Sequence, residues 1–276
     1  MRDWLTTRFN KPDRPLSFAD LSALTISDRQ KLIEVLSKPQ LLRLSDTNLS
    51  LHVQSVTEDA RIRKFGEPWT VDWLRLLPEK SILYDLGANI GVTALLAAEN
   101  IERQVRVVAV EPFPSNFASL VKNIAANQLS DRIIALPLGL GEVTKVIPLH
   151  WASAEVGTSQ HSFGEIVNPK TGIKAEEVAQ HWCLCFRLDD LVESFGLPFP
   201  THLKIDVDGG EIEILKGAQK VLHDSRCRGI QMEVYSGAQP GKALAAIELV
   251  LEAGFKISNR YAHRHPGVED VQFERN

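Results

Sequence analysis

Two stretches of the sequence concentrate residues whose types and spacing suit chemistry. The first, Tyr84-Asp85-Leu86-Gly87-Ala88-Asn89-Ile90-Gly91, ends an apolar run and opens a helical pattern, the place where open α/β sheets bind ligands. Gly87 permits a sharp turn, Gly91 lets the next helix pack closely, and Asn89 tolerates a left-handed backbone. A dinucleotide loop needs a second glycine where Asn89 stands, and no Lys or Arg is present to meet a phosphate. Asp85 instead places a carboxylate at the strand end, which repels an anionic cofactor and suits a cationic one. S-adenosylmethionine, with a sulfonium, an ammonium and no phosphate, fits that charge pattern. Glu111, twenty residues past Gly91 at the end of the next apolar run, can accept both hydrogen bonds of a ribose diol. Read alone, it is equally a cap on the helix that begins near Pro114.

The second stretch is Leu203-Lys204-Ile205-Asp206-Val207-Asp208-Gly209-Gly210. On an extended strand Lys204, Asp206 and Asp208 share one face, which puts two carboxylates and an ammonium at the mouth of the crevice. Charge on an internal strand is costly unless it is paired or used. Asp206 is therefore expected nearest the transferred group and Lys204 beside it or beside a substrate oxygen. The same D-x-D spacing admits a divalent-metal pair of the kind used by nucleotide-sugar-dependent transferases. Glu211 and Glu213 read as favourable charges at a helix N-terminus. An alcohol acceptor must lose its proton, so a general base would help; the candidates are Asp206, His161 and Glu233. A lone loop histidine such as His161 is also an ordinary surface residue. His263 and His265 could face one way on a strand, but no third ligand stands nearby in sequence, so no metal site is expected. Cys183 and Cys185 read as small packing residues.

From Ser81 onward the chain alternates strand and helix, the mark of a parallel sheet covered on both faces. SILYDLG, QVRVVAVE and RIIALPLG read as strands, with IGVTALLAAENI and PSNFASLVKNIAAN as helices between and after them. Residues 142–187 break the rhythm with two strand-like runs, KVIPLHW and HWCLCFRL, around a polar loop. LDDLVESF (helix), THLKIDVD (strand), EIEILKGAQKVL (helix), GIQMEVY (strand), GKALAAIELVLEAG (helix) and a closing hairpin follow. Residues 1–78, broken by five prolines, read as short helices forming a cap or lid, with Ser27-Asp28 as a helix start. Residues 79–276 form the main domain.

The 276 residues are 44% hydrophobic and 24% charged, enough to bury a core. Thirty-one basic against 35 acidic residues leave a net charge of −4, with no basic stripe for a phosphate backbone, so nucleic acid is not the expected partner. Three cysteines without a C-x-x-C pair give neither a disulfide framework nor a zinc knuckle. Neither a leader nor a membrane span is readable, and a cytoplasmic setting is the default.

YDLGANIG, VVAVEPFPSNFASLVKNIAAN, RLDDLV, LKIDVDGGEIEILKGA and GIQMEVY, in this order over roughly residues 67–235, resemble the FkbM family of S-adenosylmethionine-dependent methyltransferases. The resemblance implies a class I, Rossmann-like methyltransferase fold, α/β with a mostly parallel seven-stranded sheet. It also implies O-methylation of a hydroxyl on a sugar, glycan or secondary metabolite. Glu67-Pro68 resembles a family feature in which a glutamate before the first strand borders the cofactor. The expected cofactor contacts are then Glu67, Asp85, Gly87, Asn89, Gly91, Glu111, Pro112, Asn116 near the adenosine, Gly139 and Leu140 beside the adenine, and Asp206. Asp206, Lys204, His161 and Glu233 form the catalytic set, with no metal. A small-molecule or glycan acceptor is the expected partner, and a homodimer is open as the assembly. The N-terminal helices and the loop from Gly157 to Gly172 are expected to cover the acceptor. Rival readings are a metal-dependent nucleotide-sugar transferase and a silent methyltransferase-fold scaffold.

Overall fold

The computed structural model describes residues 24–36, 40–44, 47–63, 67–100, 102–159, 161–163, 173–174, 179–237, 240–263 and 266–275. The expectations for residues 1–23, for His265 and for most of the Gly157–Gly172 loop lie outside the described residues. Contacts divide the chain into Met1–Leu41 and Leu42–Asn276, so residues 42–78 belong with the sheet rather than with a separate cap.

In the first unit, helix α1 (Ile26–Leu36) begins one residue after Thr25. The Asp28 N–H donates to Thr25 Oγ1 at 3.1 Å and the Thr25 N–H donates to Asp28 Oδ2 at 3.2 Å. This reciprocal capping box makes Thr25, not Ser27, the cap.

The expectation of helices alone before residue 78 fails at β1 (Gln40–Arg43) and β2 (Ser50–Val53). Asparagine side chains hold β2: the Ser50 N–H donates to Asn127 Oδ1 at 2.9 Å and the His52 N–H to Asn123 Oδ1 at 2.7 Å. Such long-range side-chain partners leave no local periodicity to read. Helices α2 (Val56–Arg63) and α3 (Pro68–Leu76) follow; Pro68 suits the first helical position because its missing N–H would have no partner there.

The main sheet then builds as the alternation predicts: β3 (Ile82–Leu86), α4 (Val92–Glu99), β4 (Arg106–Val110), α5 (Pro114–Ala126) and β5 (Ile133–Leu136). A four-stranded insert comprises β6 (Gly139–Leu140), β7 (Lys145–Trp151), β8 (His161–Ser162) and β9 (Ala179–Phe186), in the order β6-β9-β7-β8. Helix α6 (Leu188–Ser194) leads to β10 (His202–Ile205). The helix expected over EIEILKGAQKVL is two, α7 (Glu211–Gly217) and α8 (Gln219–His223), parted at Ala218, whose φ of −114° and ψ of 17° leave the helical range. Strand β11 (Gly229–Tyr235), α9 (Pro240–Glu252) and the hairpin β12 (Lys256–Ala262)–β13 (Val268–Glu274) complete the chain.

The large sheet has the order β12-β13-β11-β10-β3-β4-β5, parallel from β11 to β5 and antiparallel at β13 and β12. Strand order reverses between β3 and β10, which opens a crevice at their carboxyl ends. The central strands are buried on both faces, consistent with their unbroken apolar runs. Tyr84, Leu86, Leu203 and Ile205 pack on one face, while Leu83, Leu95, Val107 and Ala109 pack on the other. No helix among the described residues is long and apolar enough to cross a membrane.

The core also holds a histidine. His202 is 7% exposed, sits edge-on to Trp73 and hydrogen bonds to Thr201. Burial, aided by the Arg228 charge, lowers its pKa to about 4. Between its unfolded value of 6.5 and 4 the unfolded chain binds the extra proton, so stability falls as pH drops through that window. The loss is about 2 kcal/mol at pH 5. Urea unfolding at pH 7 and pH 5 should show His202→Asn losing less stability on acidification than the native chain by about that amount; equal losses would reject the assignment.

Candidate active site

The crevice is shaped by a close approach of backbones. The Asp206 N–H donates to Leu86 O at 3.0 Å, and the N–H groups of Gly87 and Ala88 both donate to Val110 O at 3.0 Å. Gly87 has φ +85°, and a Cβ there would collide with the Asp206 carbonyl oxygen. Only glycine allows both the left-handed backbone and this contact. At Gly91, φ +94°, a Cβ would press into Leu120 on α5. Asn89 does adopt the left-handed conformation, with φ 51°.

Asp85 is 2% exposed. The Ala94 backbone N–H holds it to the start of α4, and burial raises its pKa to about 7 despite the Lys204 charge. Its Oδ2 has no hydrogen-bond partner among the described residues. An orphaned, buried carboxylate oxygen at the base of the turn is what a cationic ligand would satisfy.

The cleft above this turn encloses about 730 Å³, within the range of small-molecule sites. Gly87, Asn89, Glu111, Pro112, Asn116, Gly139, Leu140 and Asp206 all line it, as does His161. Glu111 is nearly buried, and its two oxygens accept the N–H groups of Asn89 at 2.8 Å and Phe113 at 2.9 Å. Those bonds tie two loops together and fix the carboxylate on the cleft wall.

Asn116 works differently from expectation. Its Oδ1 accepts the Gly157 N–H at 2.8 Å and its Nδ2 donates to Thr158 O at 3.1 Å, a carbonyl that also accepts from Asn89 Nδ2 at 2.9 Å. Asn116 and Asn89 thus clamp the Gly157–Thr158 segment onto the cleft rim. His161 stacks on Phe113 at 4.0 Å, at the Glu111 end of the cleft. Gly139 and Leu140 are a short strand beside Cys185 and Phe186 rather than a turn.

At the other end, β10 stops at Ile205, and Asp208 has φ 53°. The strand alternation expected to put Lys204, Asp206 and Asp208 on one face therefore breaks. Lys204 Nζ donates to Asp206 Oδ2 at 3.0 Å, whereas Asp208 accepts from the Tyr235 hydroxyl at 3.3 Å. The two aspartates have separate partners, which argues against a D-x-D metal pair. Glu211 begins α7 as expected but is 7% exposed, and burial lifts its carboxyl to about 7.

Lys204 itself is buried. Burial alone would lower its pKa, but the carboxylates of Asp206, Asp270, Glu67 and Asp85 outweigh this and raise it. Glu67 occupies the N-cap position of α3, accepts the Thr70 hydroxyl at 3.2 Å and is absent from the cleft lining. With it stand Glu233, hydrogen-bonded to Tyr235, and His263, whose Nε2 is 2.8 Å from Asp270 Oδ2. Sequence reasoning missed Asp270, Trp69 and this use of His263. A usable signal was present: Gln231 and Glu233 recur at spacing two in an otherwise apolar β11, Asp270 and Gln272 do so in β13, and ladder pairing sets Gln231 opposite Gln272 and Glu233 opposite Asp270.

A doubly wound sheet closed by an antiparallel edge, with an acidic turn at the switch point and a second acid on the next strand, defines a class I methyltransferase. The model of the methyltransferase FkbM domain matches residues 85–257, and the chain belongs to this family of S-adenosylmethionine-dependent enzymes. It is 30% identical over 210 residues to the hexuronic acid methyltransferase AglP of Haloferax volcanii, covering 73% of this chain and 77% of that one. It is 28% identical to the methyltransferase sdnD of Sordaria araneosa, covering 69% and 79% respectively. A solved precorrin-6y C5,15-methyltransferase from Geobacter metallireducens matches 76% of this chain and 87% of its own at 17% identity, with a TM-score of 0.45.

The clamp on the rim is directly testable. Asn116→Ala removes both bonds to the Gly157–Thr158 backbone and is expected to cost about 2 kcal/mol. Amide exchange should accelerate at Gly157 while β10 and β11 stay protected. Unchanged exchange at Gly157 would show that other contacts hold the segment.

Proposed function

We propose that this enzyme transfers the methyl group of S-adenosylmethionine to a hydroxyl of a sugar, glycan or secondary metabolite. The observation that carries the reading is the polarity of the cleft. A backbone-held carboxylate, Glu111, stands at one end and an ammonium-held carboxylate, Asp206, at the other, with the orphaned Asp85 oxygen beneath the turn between them. The lining offers the Glu111 and Asp206 carboxylates to a diol and to positive charge, with Lys145 and Lys242 also on its wall. The name of the Haloferax relative, a hexuronic acid methyltransferase, supports a sugar as acceptor.

When bound, S-adenosylmethionine supplies a methyl carbon activated by its sulfonium. Glu111 takes the ribose hydroxyls, and Pro112, Gly139 and Leu140 wall the adenine. Asp85 answers the ammonium. His161, stacked on Phe113 at the Glu111 end, belongs to the nucleoside wall in this reading rather than to the base. Asp206, on the cleft lining and steadied by Lys204, would hold the acceptor hydroxyl toward the methyl and take its proton as the O–C bond replaces the S–C bond, with the neutral thioether S-adenosylhomocysteine leaving. Alignment of this kind supplies a large part of such acceleration. The Gly157–Thr158 segment, clamped by Asn116 and Asn89, would close the nucleoside end of the cleft.

Calorimetry with S-adenosylmethionine tests the binding half. Glu111→Ala should weaken affinity by about 10- to 100-fold, the worth of hydrogen bonds to a charged group. The Asp85 carboxyl is charged only above about pH 7. Affinity for a cation should therefore fall about tenfold from pH 8 to pH 6, and Asp85→Asn should flatten that dependence. Retained affinity in both variants would place the nucleoside elsewhere. The acceptor is sought with an isotope-labelled methyl donor over hydroxylated sugars and metabolites, read as mass gain.

A further inference from the structure

We infer that Glu67, Glu233 and His263 form a binding site for one divalent transition-metal ion beside Asp206. One ligand-capable atom of each lies within 4.8 Å of those of the other two. The three come from separate elements: the N-cap of α3, strand β11 and the residue after β12. Two carboxylates and an imidazole form a donor set for Mn²⁺, Fe²⁺, Co²⁺ or Zn²⁺ rather than for the all-oxygen ions. Three protein ligands leave coordination positions open for water or substrate.

The surroundings favour an ion. Asp270 is 1% exposed; its Oδ2 meets His263 Nε2 at 2.8 Å and accepts Trp69 Nε1–H at 2.6 Å. The Trp69 ring stands edge-on to His263 at 5.5 Å. The same Nε2 lies 3.6 Å from Glu233 Oε2, so metal ligation at this nitrogen would replace its bond to Asp270. A second observation is independent of the triad: the other oxygen of Asp270, Oδ1, is buried with no hydrogen-bond partner among the described residues.

The site stands apart from the methyl-transfer reading, but its role rests on that reading. Glu67, Glu233 and His263 do not line the cleft, so the ion would act through its charge on Asp206, which lines the cleft and would receive the acceptor's proton.

The test uses the full chain stripped with a chelator and titrated with Co²⁺, Mn²⁺ and Zn²⁺, followed by calorimetry and by the visible absorption of bound Co²⁺. One ion per chain is expected. His263→Ala and Glu67→Gln should each weaken binding at least about tenfold, while Asp85→Asn should leave it intact. Glu67, at a half-buried position, is the variant to rely on if Glu233→Gln does not fold. Absence of stoichiometric binding would mean that the three side chains hold no ion, and binding indifferent to both substitutions would locate the ion elsewhere; either overturns the proposal. S-adenosylmethionine titrated into the same stripped protein separates the two ideas. Nucleoside binding without metal binding rejects the ion site alone, and metal binding without nucleoside binding rejects the methyl-transfer reading alone.

Discussion

A single buried ammonium organises the site. Lys204 lies on the central strand β10, flanked in register by Asp85 on β3 and Gln231 on β11, and it bonds to Asp206 at 3.0 Å. Its position makes it the shared counter-charge for the acid beneath the cofactor turn and for the acids behind Asp206. The Lys204 side chain is 3% exposed and that of Asp206 39%, so losing Asp206 strands a buried charge, whereas losing Lys204 leaves Asp206 screened by water.

The two ends of the cleft are stabilised by different physics. At the Glu111 end, neutral backbone donors and asparagine side chains fix the geometry: Asn89 and Phe113 hold the carboxylate, and Asn116 holds the rim. At the Asp206 end the side chains are held by one another's charges, with the Asp208 backbone in a left-handed conformation that side-chain-bearing residues adopt at a cost. The first arrangement suits a rigid nucleoside pocket. The second suits chemistry, where proton and charge positions must change during the reaction.

Much of this was legible in the sequence, and the failures have definite causes. The alternation of apolar runs and helical segments from Ser81 onward predicts the parallel strands because each is a continuous buried run. Asp85, Glu111 and Asp206 stand out because each is an acid at the end of such a run; Glu111 and Asp206 line the crevice, while Asp85 is buried beneath its turn. The strands β1 and β2 were not legible: β2 is held by Asn123 and Asn127, more than seventy residues away. Asn116 does line the cleft, but the use of its amide to hold a loop forty-one residues distant has no local signal in the sequence. The stripe of Gln231, Glu233, Asp270 and Gln272 needs the antiparallel pairing of β11 with β13 to become one surface, and local spacing does not specify which strands pair.

The account turns on where a methyl donor sits relative to Glu111 and Asp206. A crystal structure of the enzyme soaked with S-adenosylhomocysteine measures this directly. The account predicts ribose density against the Glu111 carboxylate and the sulfur directed toward Asp206, above the Gly87 turn. Density for the nucleoside at another surface, or a ribose facing Asp206 with the sulfur toward Phe113, would contradict it.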